Sequence, residues 1–185
     1  MIFAASDRLI LRRPRDSDLE PLLPGWSDPE MVRYLNARDD PRGFVARFIA
    51  DMQAKAPGES EPGGPWYQLV VERREDGAVI GDLGLGFGVP GERQVELGWR
   101  TLPAFQRRGY AREAVAGAIG WLIEAHFVHR FVGVAASANT ASIALLRSLG
   151  FRREGRFRES FRCNGRWLDD DYYALLASEW GRAAP

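Results

Sequence analysis

The chain has 185 residues, enough for one domain with its own core, and its 45% hydrophobic and 27% charged residues exclude a disordered or fibrous class. Its 25 basic and 25 acidic residues cancel, so overall charge gives no reason to expect nucleic acid or an anionic membrane as a partner. The single cysteine, Cys163, excludes an internal disulfide and a cysteine-based zinc site. No secretory leader and no apolar run of about 18 residues is visible, from which a cytoplasmic location is expected.

In chain order, Asp7 to Pro14 reads as a short first strand with Leu9 and Leu11 on one face. Asp16 or Ser17 can cap a helix through Leu19, Leu22 and Leu23 that stops at Pro24-Gly25. Asp28-Pro29 has the same start signal and predicts a second short helix to about Leu35. A third, from near Pro41, carries Phe44, Val45, Phe48, Ile49 and Met52 at helical spacing. Ala56 to Pro65, rich in proline and glycine, reads as a surface loop within a single domain spanning residues 1–185.

Trp66 to Arg73, Val79 to Phe87 and Gln94 to Leu102 then read as three antiparallel strands, joined at Glu75-Asp-Gly77 and Val89-Pro-Gly91. Gly81, Gly84, Gly86 and Gly88 predict a bulge or close approach by another backbone, and they lack the third glycine of a dinucleotide fingerprint. Tyr110, Ala114, Val115, Ala118, Ile119, Leu122 and Ile123 give a long central helix an apolar face. A compact strand, Phe131 to Ala135, precedes a helix capped by Asn139 and closed at Gly150, and a final hairpin turns at Asn164-Gly165. This order predicts an α+β protein with a mixed sheet and helices on both faces.

The stretch from Glu96 to Ala111 carries the chemistry. A β-prone run stops at Pro103, and a turn of Gln106, Arg107, Arg108 and Gly109 leads into the long helix at Tyr110. Successive backbone N–H groups, the helix dipole and two guanidinium groups there converge on one spot, which suits an anion such as phosphate.

The spacing Gln106-x-x-Gly109-x-Ala111 resembles the acyl-coenzyme-A pyrophosphate loop of the GNAT superfamily of N-acetyltransferases. Asn139-Thr-Ala-Ser142 with Leu149-Gly150-Phe151 follows in the same order as that superfamily's second central motif, and resembles its RimJ and RimL type branch. The resemblance covers nearly the whole chain. It implies the GNAT fold, a mostly antiparallel twisted sheet in which one parallel strand pair splays apart to hold the thioester of acetyl-coenzyme A.

It also implies roles. Gln106, Arg107, Arg108, Gly109, Tyr110 and Ala111 would hold the cofactor, with the amides of Arg100 and Leu102 and the side chain of Asn139 along the pantetheine arm. Where many GNAT enzymes place a tyrosine to protonate the leaving thiolate, this chain has Leu146; the resemblance to the RimL-like branch, in which the serine three residues after the asparagine serves instead, implies Ser142 as the proton donor. Glu96 is the expected base, acting through water. An α-amine with a pKa of about 7.8 costs about 1 kcal/mol to neutralise at pH 7, against ~4.6 kcal/mol for a lysine, so a single glutamate suits the former better. Trp26, Tyr34, Trp66 and Phe87 are candidates for the acceptor pocket, although aromatic residues in a fold of this size belong first to the core.

His126 and His129 fall at the end of the central helix, away from the gap. Consecutive Asp169, Asp170 and Asp171 alternate faces in a strand and do not converge on a metal, though they can help to bind a cationic acceptor. No metal is expected. Cys163 lies far from both motifs, which argues against an acetyl-thiol intermediate. The acceptor expected first is a peptide or protein N-terminus. A polyamine or an aminoglycoside-like amine is the alternative, and a non-catalytic coenzyme-A module is the rival from another class. A homodimer is expected by analogy alone.

Overall fold

A computed structural model describes residues 1–57, 66–88 and 91–181. Eight strands form one sheet: β1 (Ile2–Ala5), β2 (Leu9–Arg12), β3 (Tyr67–Arg73), β4 (Val79–Phe87), β5 (Gln94–Thr101), β6 (Arg130–Ala136), β7 (Arg152–Cys163) and β8 (Arg166–Leu176). Their spatial order is β1-β2-β3-β4-β5-β6-β8-β7. All neighbours run antiparallel except β5 and β6. The helices are α1 (Leu19–Ser27), α2 (Pro41–Ala54), α3 (Tyr110–His126) and α4 (Thr140–Ser148).

Period-two alternation assigns the faces. On β4 and β5 the odd residues Leu83, Leu85, Val95 and Leu97 are buried in the main core with Val115, Ala118, Ile119 and Leu122 of α3. The even residues Asp82, Gly84, Gly86, Glu96, Gly98 and Arg100 face the side of α1 and α2, where Trp26 packs on Phe44 and Phe48. The α4 helix joins α3 on its face, with Leu146 fully buried against Gly133 of β6.

Several expectations need correcting. Ile2–Ala5 forms an edge strand ahead of the one expected. The α1 helix runs through Pro24 and Gly25 to Ser27, because Leu22 before the proline and Trp26 after it are both buried and packing outweighs the missing hydrogen bond. No helix forms over 28–35. Asp28 accepts from Glu30 N through its side chain and from Val32 N through its carbonyl, and the chain then leaves as turns held by the β7–β8 hairpin. The expected close approach of a backbone holds at Gly81, where a Cβ would stand 1.9 Å from the carbonyl oxygen of Arg100 and the β3–β4 register shifts alongside, whereas the neighbour that crowds Gly84 and Gly86 is the indole of Trp66. The expected loop over 58–65 and part of the expected turn at Val89-Pro-Gly91 lie outside the described residues.

Candidate active site

The β5–β6 pairing runs from Gln94↔Arg130 to Glu96↔Val132 and ends there, although β5 continues to Thr101 and β6 to Ala136. The two strands therefore part just after Glu96. A cavity of about 1020 Å³ opens at this point on the α1–α2 side, and its lining includes Glu96, Val134, Asn139, Ser142, Asp170 and Tyr172.

Asn139 caps α4, its side-chain oxygen accepting from Ser142 N at 3.2 Å, which turns the first turn of the helix toward the parted strands. Glu96 is half-buried and its carboxyl is raised above the ordinary glutamate range, first by burial and then by the negative charge of Asp170. Burial raises Asp170 as well, against a hydrogen bond from Ser160 Oγ at 3.0 Å. Tyr172 is likewise raised by burial and by both carboxylates, which keeps its phenol neutral. Its ring lies 4.3 Å from that of Phe157.

The other two aspartates of that run go elsewhere. Asp169 accepts from Glu159 N, and Asp171 turns to the opposite face, where Arg156 and Arg153 hold its carboxyl far below the ordinary range. Only Asp170 of the three lines the cavity.

At the loop before α3, Arg107 and Gly109 take positive φ of 59° and 80°, and the exposed side chains of Gln106, Arg107 and Arg108 flank the helix N-terminus. Gln106 Nε2 donates to Thr101 O at 3.0 Å, which fixes the start of the loop to the end of β5. Ala111 sits in the first helical turn and Tyr110 is buried beneath it. Arg8 was not foreseen. It stacks 4.7 Å over the Tyr110 ring, pairs with Glu113 and donates to Arg108 O at 3.2 Å, so it braces the loop from the turn just ahead of β2. An isolated arginine in a first strand carries no sequence signal for that role. Free amides on a helix of this length, with guanidinium groups beside them, fit a pyrophosphate.

The amides of Arg100 and Leu102 need correcting. Leu102 N donates to Ile80 O at 2.9 Å and Gly88 N to Gln94 O at 3.2 Å. Antiparallel alternation between those two bonds turns every even amide of β5, Arg100 included, toward β4. The amides facing the gap beyond the last β5–β6 pair are those of Trp99 and Thr101. The Arg100 side chain instead stacks 3.4 Å over Trp26 and pairs with Asp82, which also accepts from Trp26 Nε1.

Of the acceptor candidates, Trp26, Tyr34 and Trp66 line the cavity. Phe87 does not, since its odd position puts it on the α3 face, 6.2 Å from the His126 ring. Trp66 lies flat on the sheet: a Cβ on Gly84, Gly86 or Gly98 would stand 2.8, 3.0 or 2.8 Å from its ring. Residues 31–38 roof the cavity. They are held by Tyr34 Oη donating to Ala138 O at 3.0 Å and by Asn164, whose side chain accepts from Ala37 N and donates to Leu35 O. Cys163 is buried behind this roof, its thiol donating to Leu35 O and raised by burial, which makes it a poor nucleophile.

Residues 8–152 match the acetyltransferase (GNAT) domain family. The chain is 28% identical over 177 residues, 94% of its length and 96% of the relative's, to the uncharacterised N-acetyltransferase YnaD of Bacillus subtilis. It is 30% identical over 84 residues, 45% of its length and 43% of the relative's, to the [ribosomal protein uS5]-alanine N-acetyltransferase of Escherichia coli. The crystal structure of a GNAT-family acetyltransferase from Bacillus anthracis superposes with a TM-score of 0.79 at 24% identity, over 97% of this chain and all of that one. A sheet that parts beside Glu96, an arginine-flanked loop at the start of α3 and these matches give one conclusion: the chain belongs to the GNAT superfamily and is an acetyltransferase.

Proposed function

We propose that the protein transfers the acetyl group of acetyl-coenzyme A to the α-amine of a peptide or protein N-terminus, by direct attack of the neutral amine with both substrates bound. One observation carries this reading: Glu96, Asn139 and Ser142, from two elements far apart in sequence, line one cavity where β5 and β6 separate. The partial match to a ribosomal-protein N-terminal acetyltransferase supports the choice of an α-amine.

Bound coenzyme would supply the thioester carbonyl. The loop of Gln106 to Gly109 and the first turn of α3 would hold its phosphates, and the gap-facing amides of Trp99 and Thr101 its arm. The amine nitrogen bonds to the acetyl carbon as the carbon–sulfur bond breaks. Glu96, with its carboxyl already raised toward neutral pH, takes the amine proton directly or through one water. The Ser142 hydroxyl gives a proton to the departing sulfur and is reprotonated from solvent. Leu146 occupies the position of the superfamily's tyrosine and is fully buried, so it leaves that role to Ser142.

The test is thiol release from acetyl-coenzyme A over a panel of N-terminal peptides and small amines, with the acetylated nitrogen located by mass spectrometry. Release on α-amines is the expected result; binding of the coenzyme without release on any amine would refute the proposal.

A further inference from the structure

Among the described residues four carboxylates line the cavity: Asp82 is paired with Arg100, Asp51 is exposed at its edge, and Glu96 and Asp170 stand beside the parted strands. Glu96 on β5 and Asp170 on β8 both face it, and among the described residues neither makes an ion pair. The arginines that line the cavity are engaged elsewhere: Arg100 is locked to Asp82 and Trp26, Arg47 pairs with Asp40 and Arg38 stacks over the Phe44 ring, while Arg153 and Arg156 hold Asp171 on the opposite face. A buried and a half-buried carboxylate that repel one another are unfavourable until a cation joins them. Ser160 fixes Asp170 in place with a hydrogen bond but adds no positive charge.

The surfaces around these two groups suit a cation as well. Tyr172 stands two residues from Asp170 on the same face and feels both charges. The Trp66 indole lies next to Glu96, over Gly86, which is Glu96's partner on β4, and over Gly98. Three glycines keep that flat ring seated, and ring faces of this kind attract ammonium groups and cover methylene chains.

Register separates the two carboxylates. Glu96 pairs with Val132 and Asp170 with Ala136, four positions further along β6, so the two carboxylates stand at different levels of the cavity while each still feels the other's charge. One ammonium held against Glu96 therefore leaves Asp170 for another.

We infer that Asp170 is a specificity-determining residue and that the acceptor carries a second cationic centre, seated on Asp170 while the reacting amine sits at Glu96. This rests on reading the cavity as the acceptor site. Two sources share that chemistry, a small diamine or polyamine and a peptide whose N-terminal residue is followed by a basic side chain.

The experiment is steady-state thiol release by the full chain with acetyl-coenzyme A. It compares diaminoalkanes of graded length with alkylamines, and dipeptides bearing lysine with those bearing norleucine in second position. A dibasic acceptor should exceed its monobasic counterpart by about tenfold or more in kcat/KM, the scale of one charged hydrogen bond. Whichever pair shows the larger ratio names the source. Asp170→Asn should collapse that ratio, mainly through KM, and Asp170→Glu should restore part of it. Ser160→Ala, a milder change, should reduce it if the asparagine variant fails to fold. Turnover with no dibasic advantage, or a ratio unchanged by these substitutions, overturns the inference and leaves acetyl transfer intact. Failure of every amine to release thiol removes the acceptor-site reading as well.

Discussion

A Cβ built on Gly133 of β6 would stand 2.4 Å from Cδ2 of Leu146 on α4, with Cδ1 and Cγ of the same side chain also within 3.4 Å. The helix that carries Asn139 and Ser142 is thus seated on the strand by a leucine filling the space a glycine leaves, and Leu146 is fully buried. The position that supplies an acid in related enzymes is here a packing position.

Gly133→Ala and Leu146→Tyr should accordingly each lower stability by about 1–3 kcal/mol, the range for overfilling a packed interior. Denaturant midpoints measure this. Installing the tyrosine should not raise turnover, and a rise would show that the helix can rotate to present it.

Gly109 has a φ of 80° at the N-cap of α3. Replacing it with valine forces a β-branched residue into a left-handed conformation that costs roughly 1–2 kcal/mol and tilts the first helical amides. Calorimetric titration with acetyl-coenzyme A should show affinity falling about tenfold to a hundredfold. Affinity equal to wild type would place the phosphates elsewhere.

Glu96→Gln should reduce turnover by roughly a hundredfold to ten-thousandfold, with coenzyme affinity nearly unchanged. The same variant should be more stable than wild type at neutral pH. Burial, then Asp170, raises the folded carboxyl above its unfolded value, so the folded state resists ionisation and is penalised once pH exceeds the unfolded pKa. The gain from glutamine should shrink as pH falls through the raised value toward the ordinary glutamate range. Thermal midpoints across pH test this, and wild type stabilised by ionisation would contradict it. In turnover, kcat/KM should fall on the acid side at a pH above the ordinary glutamate pKa.

Gly98→Ala would put a Cβ 2.8 Å from the Trp66 ring. Because the ring is partly exposed, it can lift off the sheet into the cavity rather than unfold the domain. KM for the acceptor should rise severalfold while coenzyme affinity holds. An equal loss of both would show that the glycine serves the gap and not the indole.

Much of the fold was legible because the signals were local. The start of α2 near Pro41, the cap Asn139, the turn at Asn164-Gly165 and the apolar period of α3 each depend on a few consecutive residues. The segment 28–35 misled for the complementary reason. Its aspartate-proline start is a sound helix signal, yet hydrogen bonds to Asn164 from the far end of the chain hold the stretch after it in turns.

The sequence by itself determined the turn ahead of α3, since Gln106 to Ala111 are contiguous and the left-handed conformation at Gly109 is one that a residue without a side chain adopts readily. It also determined that Glu96 and Ser142 were candidates and that Asp169, Asp170 and Asp171 would diverge, because alternation along a strand is a local rule. Tertiary structure decided which of those aspartates lines the cavity. The β8 strand inserts between β6 and β7, bringing Asp170 and Tyr172 to the cavity that holds Glu96, and pairing with β4 turns the Arg100 and Leu102 amides away from the gap. Period two tells which residues share a face of one strand; which strands lie side by side, and where two of them part, is set by packing between segments distant in the chain.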